Sequence, residues 1–290
     1  MRKDSFLMSN AIHFLNTGHS DCIILESDNH FAMIDAGEDT EYPADKPWLN
    51  LKGYEQQVCQ YLNRHCADEK GNVVLDFVLG THSHSDHIGG FDTVINQPNV
   101  TVKRAFLKPY HGDDVFIMER KRWDNEEVYS QMRAALQSKN VPIIESFDNL
   151  SFYLGSMVIT FFNGTYKKPR LTFGENVNSV VTLVECNGKR VLLAGDMNYK
   201  NGLEKRIARQ VGRVDLLKVG HHGYVGSTSF ELVRALMPKY AVVCNEEKGM
   251  YPDVKYKLKH ISKSQILCTQ DLNGVKAVIN NDIEIVKNVM

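Results

Sequence analysis

The sequence predicts an α/β fold in which two strand-rich halves face each other with helices on the outside. Three observations predict it. Short apolar runs of strand length alternate with segments of helical spacing. The plan of the first half recurs in the second, as a pattern and not as a sequence repeat. No low-complexity linker divides the two, so residues 1–290 are read as one domain. With 43% hydrophobic residues the chain can build a substantial core.

The elements follow in order. Strands are expected at Ala11 to Leu15, Cys22 to Leu25 and Phe31 to Ile34, with turns at Gly18 and Asn29. A loop rich in Asp, Glu and Pro runs from Glu38 to Trp48. Tyr54, Val58, Tyr61 and Leu62 recur at helical spacing, Val73 to Leu79 reads as a buried strand, and Ile88 to Ile95 as a helix. Glu126 to Ser138 is helical, with Val128, Met132, Ala135 and Leu136 on one face. In the second half, strands are expected at Met157 to Phe162, Val180 to Cys186, Val191 to Ala194, Val214 to Val219 and Tyr240 to Cys244. Helices are expected at Gly202 to Val211 and Phe230 to Leu236. Val275 to Ile279 and Ile283 to Val286 close the chain as short strands.

Composition excludes some classes of function. The net charge is -1, whereas a protein that grips long nucleic acid duplexes shows a strong basic excess. No run approaches the roughly 18 apolar residues of a membrane span. The opening MRKDSFLMSN lacks the apolar core of a signal peptide. The six cysteines (22, 59, 66, 186, 244, 268) form no C-x-x-C pair. They read as buried, reduced thiols in a cytoplasmic protein.

The chemistry concentrates at residues 81–90, THSHSDHIGG, where His82, His84, Asp86 and His87 form H-x-H-x-D-H. The string leaves a buried strand and enters a Gly-Gly and a helix. A strand end is rigid and can hold ligands in fixed positions. In an extended turn His82 and His84 point the same way, while Asp86 and His87 follow the bend towards a second point. One loop can therefore serve two adjacent metals. Two more apolar strands end in ligand types: LLAGDM delivers Asp196, and LLKVGHHG delivers His221 and His222. Imidazole and carboxylate suit zinc, manganese or iron better than calcium. Asp35 ends a strand and reads either as an acceptor orienting a metal-bound histidine or as a turn former.

These three segments, in this order, resemble the metallo-β-lactamase superfamily over nearly the whole chain. Asn176-Val177-Asn178-Ser179 together with the double histidine resembles the soluble hydrolase domain of ComEC-type competence proteins. HFAMIDAGED (His30 to Asp39) and Trp123-Asp124-Asn125 resemble, more closely, the catalytic domain of teichoic acid phosphorylcholine esterases. The resemblance implies a four-layer αββα sandwich with a two-metal site at one edge. His82 and His84 would hold one metal. Asp86, His87 and one histidine of the 221–222 pair would hold the other, and Asp196 would bridge. His222 is favoured as the ligand, and His221 as a phosphate contact or proton donor.

The departures are specific. β-Lactamases and glyoxalases of the superfamily carry a further metal-binding histidine before the bridging Asp. Here no histidine lies between His111 and His221, and Asn176 or Asn178 occupies that region. Gly249-Met250-Tyr251-Pro252 replaces the Tyr-Gly-His-Pro-like segment of ComEC-type domains. The choline-binding repeats of the esterases are lacking as well.

The expected function is a metal-dependent hydrolase acting on a phosphodiester or phosphoester of a small molecule through a metal-activated hydroxide. Its cofactors would be two divalent ions, zinc first, with Asp86 and His221 as the catalytic candidates. Hydrolysis of single-stranded nucleic acid, hydrolysis of a thioester or lactone, and a non-catalytic metal-stabilised binding module are the competing readings. Asn178, Tyr251 and Trp123 are candidate substrate contacts, with Lys218 and Ser227 beside them. Trp48, Trp123, Tyr224 and Tyr251 are read as core or surface packing in preference to an aromatic cage for a choline-like cation. Arg120-Lys121-Arg122 and Lys167-Lys168-Pro169-Arg170 are solvated basic runs able to steer an anion.

Overall fold

The computed structural model describes residues 10–40, 46, 48–49, 52–169 and 174–290. The opening residues 1–9, most of the acidic loop and Arg170 of the second basic run lie outside them. Among the described residues, the first half supplies β1 (Asn10–Phe14), β2 (Cys22–Ser27), β3 (His30–Ala36), β4 (Val73–Gly80), β5 (Val100–Val102), β6 (Ala105–Leu107) and β7 (Ile143–Ile144). The second half supplies β8 (Ser151–Leu154), β9 (Met157–Phe162), β10 (Val181–Cys186), β11 (Lys189–Leu193), β12 (Leu216–Lys218), β13 (Tyr240–Val243) and β14 (Gln265–Cys268). The final β15 (Val275–Ile279) and β16 (Ile283–Lys287) return to the first sheet, whose order is β16-β15-β1-β2-β3-β4-β6-β7, with β5 also on β4. The second sheet runs β14 to β8 in simple descending order.

Alternation along the strands builds the layers. Ile12, Phe14, Ile23, Leu25, Ile34, Phe77 and Leu79 of the first sheet pack against Ile159, Phe161, Val184, Val191 and Leu193 of the second, which makes the central core. The opposite faces take helices. Ile24, Met33 and Val78 pack under α1 (Glu55–His65), α3 (Phe91–Asn96) and α5 (Asn125–Ser138). Val181, Leu183, Leu192 and Leu217 pack under α6 (Leu203–Val211), α7 (Phe230–Leu236) and α8 (Pro252–His260). Each helix meets its sheet with one stripe, as in Leu203, Ile207, Ala208 and Val211 of α6. The result is a four-layer αββα sandwich.

Both halves share a strand plan. An antiparallel pair, β2–β3 or β10–β11, is followed by parallel strands, β4 and β6 or β12, β13 and β14. The helix expected at Ile88 to Ile95 is broken. A single turn, α2 (Ser85–Ile88), ends at Gly89-Gly90, and α3 starts at Phe91. A Cβ at Gly89 would lie 2.6 Å from Ser85 O and 2.7 Å from Asp39 N, and one at Gly90 2.6 Å from Ala36 O. The two glycines therefore let the histidine-bearing turn press against the end of β3. The sequence reading also passed over α4 (Ile117–Arg122) and α8. Pro252 sits in the first turn of α8, where the missing N–H costs nothing. All six cysteines are buried and free. Among the described residues no helix is long and apolar enough to cross a membrane.

Candidate metal centre

Corresponding strands of the two sheets deliver the functional side chains. Residues 81–87 follow β4, Asp196 follows β11, and His221 and His222 follow β12. In α/β sheets the carboxyl ends of the strands are the usual place for ligands. Backbone bonds lock the three loops together: Val180 N donates to Thr81 O (3.0 Å), His221 N to Gly195 O (3.1 Å) and Asp21 N to Asp86 O (3.0 Å).

The donor atoms fall into two groups that share Asp196. One is His82, His84 and Asp196; the other is Asp86, His87, Asp196 and His222, and within each group the atoms lie within 4.8 Å of one another. In the first, His82 Nε2 is 3.1 Å from His84 Nδ1. In the second, His87 Nε2 is 3.2 Å from His222 Nε2, and Asp196 Oδ1 is 3.1 and 3.3 Å from these two nitrogens. Asp86 Oδ2 is 3.2 Å from His222 Nε2. Asp196 Oδ1 is buried without a hydrogen-bond partner. Ring nitrogens and carboxylate oxygens gathered this closely and left unsatisfied fit cations, because imidazole and carboxylate are the donors a zinc-like ion takes.

The far side of each ring supports the same assignment. His87 Nδ1 donates to Asp35 Oδ2 at 2.7 Å. His84 Nε2 donates to Glu119 Oε1 at 3.1 Å. Thr81 Oγ1 donates to Asp35 Oδ2 (2.7 Å) and lies 3.1 Å from His82 Nδ1, so it accepts from that ring. His222 Nδ1 is 3.3 Å from Asp21 Oδ1, an ion-pair contact without hydrogen-bond alignment. The acceptors behind His82, His84 and His87 can each hold an N–H, which turns the opposite nitrogen of the ring towards the centre. Asp35 thus sits behind His87 as an orienting carboxylate. Its backbone is left-handed, with φ at 56°, a conformation Asp tolerates better than most residues.

Burial and charge set the protonation of the cluster. Burial pulls His82 well below the ordinary imidazole range, and His87 and His84 add to this. Burial is the largest single influence on His87 and His222 and lowers both, but the surrounding carboxylates together outweigh it, Asp196 foremost. Asp35 and Asp86 help at His87 and Asp21 at His222, and both rings end well above the usual range. Asp196 is raised by burial, yet the neighbouring imidazoles hold it well below the carboxylate range.

His221 and His222 both have left-handed backbone, φ 49° and 48°. The turn sends them apart. His222 is buried in the second group. His221 keeps a 29% exposed side chain, with Nε2 3.9 Å from Asp196 Oδ2 and Nδ1 without a partner. A cleft of about 400 Å³ opens over the cluster, lined by His84, Asp86, Asp196, His221 and His222 and walled by His19, Glu38, Trp123, Asn125 and Tyr224. A second cavity, about 640 Å³, adjoins it at His84 and Trp123 and carries Trp48, Lys121, Arg122 and Asn176.

Several expected substrate contacts lie elsewhere. Lys218 is fully buried, ion-paired with Asp21, and donates to Gly195 O at 3.1 Å. It braces the cluster from behind and cannot reach the cleft. Asn178 is 1% exposed and its amide is used up: Oδ1 accepts from Lys167 N, and Nδ2 donates to Lys167 O and Glu175 Oε2. Ser227 is buried, donating to Tyr224 O. Tyr251 precedes α8 and lines neither cavity. Trp123 does face both, and Tyr224 walls the cleft, stacked on His19 with its hydroxyl 2.8 Å from His19 Nδ1. The four rings do not gather around one cavity: Trp48 lines the larger one, Tyr224 the cleft, Trp123 both and Tyr251 neither, and Arg122 already covers the Trp123 ring at 5.0 Å. Asp21, Glu38 and Glu119 were missed. None belongs to a recognisable ligand motif, and only the folded chain brings each to the cluster.

A four-layer sandwich with two donor groups sharing a carboxylate at one edge is a hydrolase-like fold whose His/Asp cluster is able to bind metal. Residues 15–245 match the family model of the metallo-beta-lactamase superfamily, and the chain belongs to that superfamily. It is 27% identical over 214 residues to Recombination protein 2 of Haemophilus influenzae, covering 73% of this chain and 22% of that protein. It is 25% identical over 222 residues to ComE operon protein 3 of Bacillus subtilis, covering 76% of this chain and 26% of that one. The chain therefore spans about a quarter of the length of these relatives. Among solved structures, the metallo-beta-lactamase fold protein YhfI from Bacillus subtilis aligns with a TM-score of 0.57 at 10% identity, over 93% of this chain and all of that one. Zinc-bound PqqB from Methylobacterium extorquens aligns at 0.51 and 13%, over 95% and 99%. These likenesses show the fold.

Proposed function

We propose that this chain is a hydrolase that uses two divalent cations to cleave a phosphodiester or phosphoester. The observation that carries the proposal is the pair of donor groups sharing Asp196 beneath an open cleft. Zinc is the first choice for these donors, with manganese and iron sharing the same preferences. When bound, such cations lower the pKa of water towards neutrality and offset charge that builds on phosphoryl oxygens. His82, His84 and Asp196 would hold one, and Asp86, His87, Asp196 and His222 the other. Asp35, Glu119, Thr81 and Asp21 keep the rings oriented. His221 stands over Asp196 with a partly exposed ring that lines the cleft, which suits it to hand a proton to the leaving oxygen. Trp123 and the Lys121–Arg122 edge would contact the substrate beyond the phosphorus.

A second reading is hydrolysis of single-stranded nucleic acid. It is favoured by the similarity to the recombination and competence proteins and by the indoles of Trp48 and Trp123 beside two cations, since bases stack on aromatic faces. Metal analysis of the purified protein beside a substrate panel tests both. The panel should hold bis-p-nitrophenyl phosphate, p-nitrophenyl phosphorylcholine, cyclic nucleotides, single-stranded DNA and a thioester. Chelator-sensitive turnover of the phosphodiesters, lost in Asp86→Ala, is the expected result. A steep fall in binding with salt would favour the nucleic acid. Turnover indifferent to chelation and to Asp86→Ala would remove the metal mechanism.

A further inference from the structure

Glu119 reaches towards His84 from α4. Its Oε1 accepts from His84 Nε2 (3.1 Å), from the backbone N–H of Glu175 (2.9 Å) and from Asn125 Nδ2 (3.5 Å). The side chain is 14% exposed. Three donors from three separate segments converge on one oxygen, so the carboxylate is held and cannot swing freely. The opposite wall is shaped to admit it. Gly174 has φ of 61°, and a Cβ there would strike the Glu119 carboxylate. Among the described residues His84 makes hydrogen-bond contacts to Glu119 at Nε2 and to His82 Nε2 at Nδ1.

We propose that Glu119 is a positioning residue for the first cation. It fixes His84 as the Nε2–H tautomer and so turns Nδ1 towards His82 and Asp196. The physical basis is simple. A neutral imidazole has one N–H, and the strongest nearby acceptor decides which nitrogen carries it. Without an acceptor at Nε2, the proton is free to move to Nδ1, where it blocks the lone pair that the cation needs. With three donors in this group, the orientation of each matters more. This rests on the two-ion reading above, but its first consequence does not require metal.

The test uses the full chain and two variants. Glu119→Gln keeps a carbonyl oxygen that can accept from His84, and Glu119→Ala removes the acceptor. Circular dichroism and thermal melting confirm folding; should the alanine variant fail to fold, Glu119→Asp withdraws the carboxylate by one methylene. Long-range nitrogen–proton NMR on the metal-free protein, at a pH alkaline enough to leave His84 neutral against the carboxylates that raise its pKa, reads the tautomer of His84. The wild type and Gln variant should show Nε2–H, and the alanine variant should shift towards Nδ1–H. In zinc competition against a graded chelator, the alanine variant should hold one ion about 10–100-fold more weakly, in line with loss of an orienting partner. The other ion should be unaffected. An unchanged tautomer, or two ions held as in the wild type, would overturn the proposal. A shifted tautomer in a protein that binds no zinc would uphold Glu119 as the device that orients His84 and would defeat the two-ion reading instead.

Discussion

The Asp86–His87–Asp196–His222 group and the His82–His84–Asp196 group share one carboxylate but rest on different foundations. The first is backed by Asp35 and by the buried Asp21–Lys218 pair, all rooted at strand ends of the central layers. The second draws on Thr81 and on Glu119, which comes from a six-residue helix at the rim and a neighbouring cavity. The first group has four donors and the second three. Rigid backing and more donors mean tighter, more uniform metal affinity. On the two-ion reading proposed above, the contrast predicts a tighter ion at Asp86, His87 and His222 and a more exchangeable one at His82 and His84.

Removing what the groups share gives the largest effect. Asp196→Ala should abolish binding of both ions and bring turnover to the uncatalysed level, read by metal analysis and by bis-p-nitrophenyl phosphate hydrolysis. Retention of one tight ion would show that the groups are more independent than their common carboxylate suggests. His221 lies outside both groups, so His221→Gln should leave ion content unchanged while turnover falls about 10²–10⁴-fold, the usual worth of a placed acid or base.

Asp21→Asn strikes the buried foundation alone. It strands the Lys218 ammonium, and breaking such a pair costs about 3–5 kcal/mol, measurable by urea unfolding of the metal-free chain. Its pH dependence has a definite sign. Burial raises the Asp21 carboxyl, but Lys218 and His222 overcome that and hold it well below the ordinary range. The folded chain therefore binds this proton less readily than the unfolded chain. The stabilisation is complete above the ordinary carboxylate pKa of about 4 and is lost as the pH falls below it. The gap between wild type and Asp21→Asn should narrow under acid. The smallest effect should come from Asp35→Asn, which weakens the acceptor behind His87. An affinity loss of about 10–100-fold, larger for the tight ion than for the exchangeable one, is the expected chelator-titration result.

The groups also differ in how much of them the sequence disclosed. His82, His84, Asp86, His87, Asp196 and His222 were legible because each lies in a segment that directly follows an apolar strand, where period and position both carry information. The layers were legible for the same reason, since alternating strands and single-stripe helices announce which face is buried. Asp21 and Glu119 were not. They lie in a loop and a short helix without periodicity, and their roles depend on contacts across 197 residues of chain in one case (Asp21 to Lys218) and 35 in the other (Glu119 to His84). Lys218 and Asn178 were misread for a related reason: a polar residue beside a ligand motif suggests substrate, whereas burial turned one into a counter-ion and the other into a strut. The glycine pair at 89–90 was read as helix because nothing local reveals that another backbone passes within van der Waals reach.

The double-histidine turn carries one more consequence. Two successive non-glycine residues in left-handed backbone cost about 1–2 kcal/mol each, and nothing in the packing of the cores requires them. His222 is held by burial and by its contacts with Asp21, Asp86 and Asp196, so any screen that rewards heat resistance without asking for turnover should converge on the codon of the more exposed His221, replacing histidine by glycine or asparagine. Durable but inert descendants would then mark the place where the chain's robustness and its chemistry pull in opposite directions.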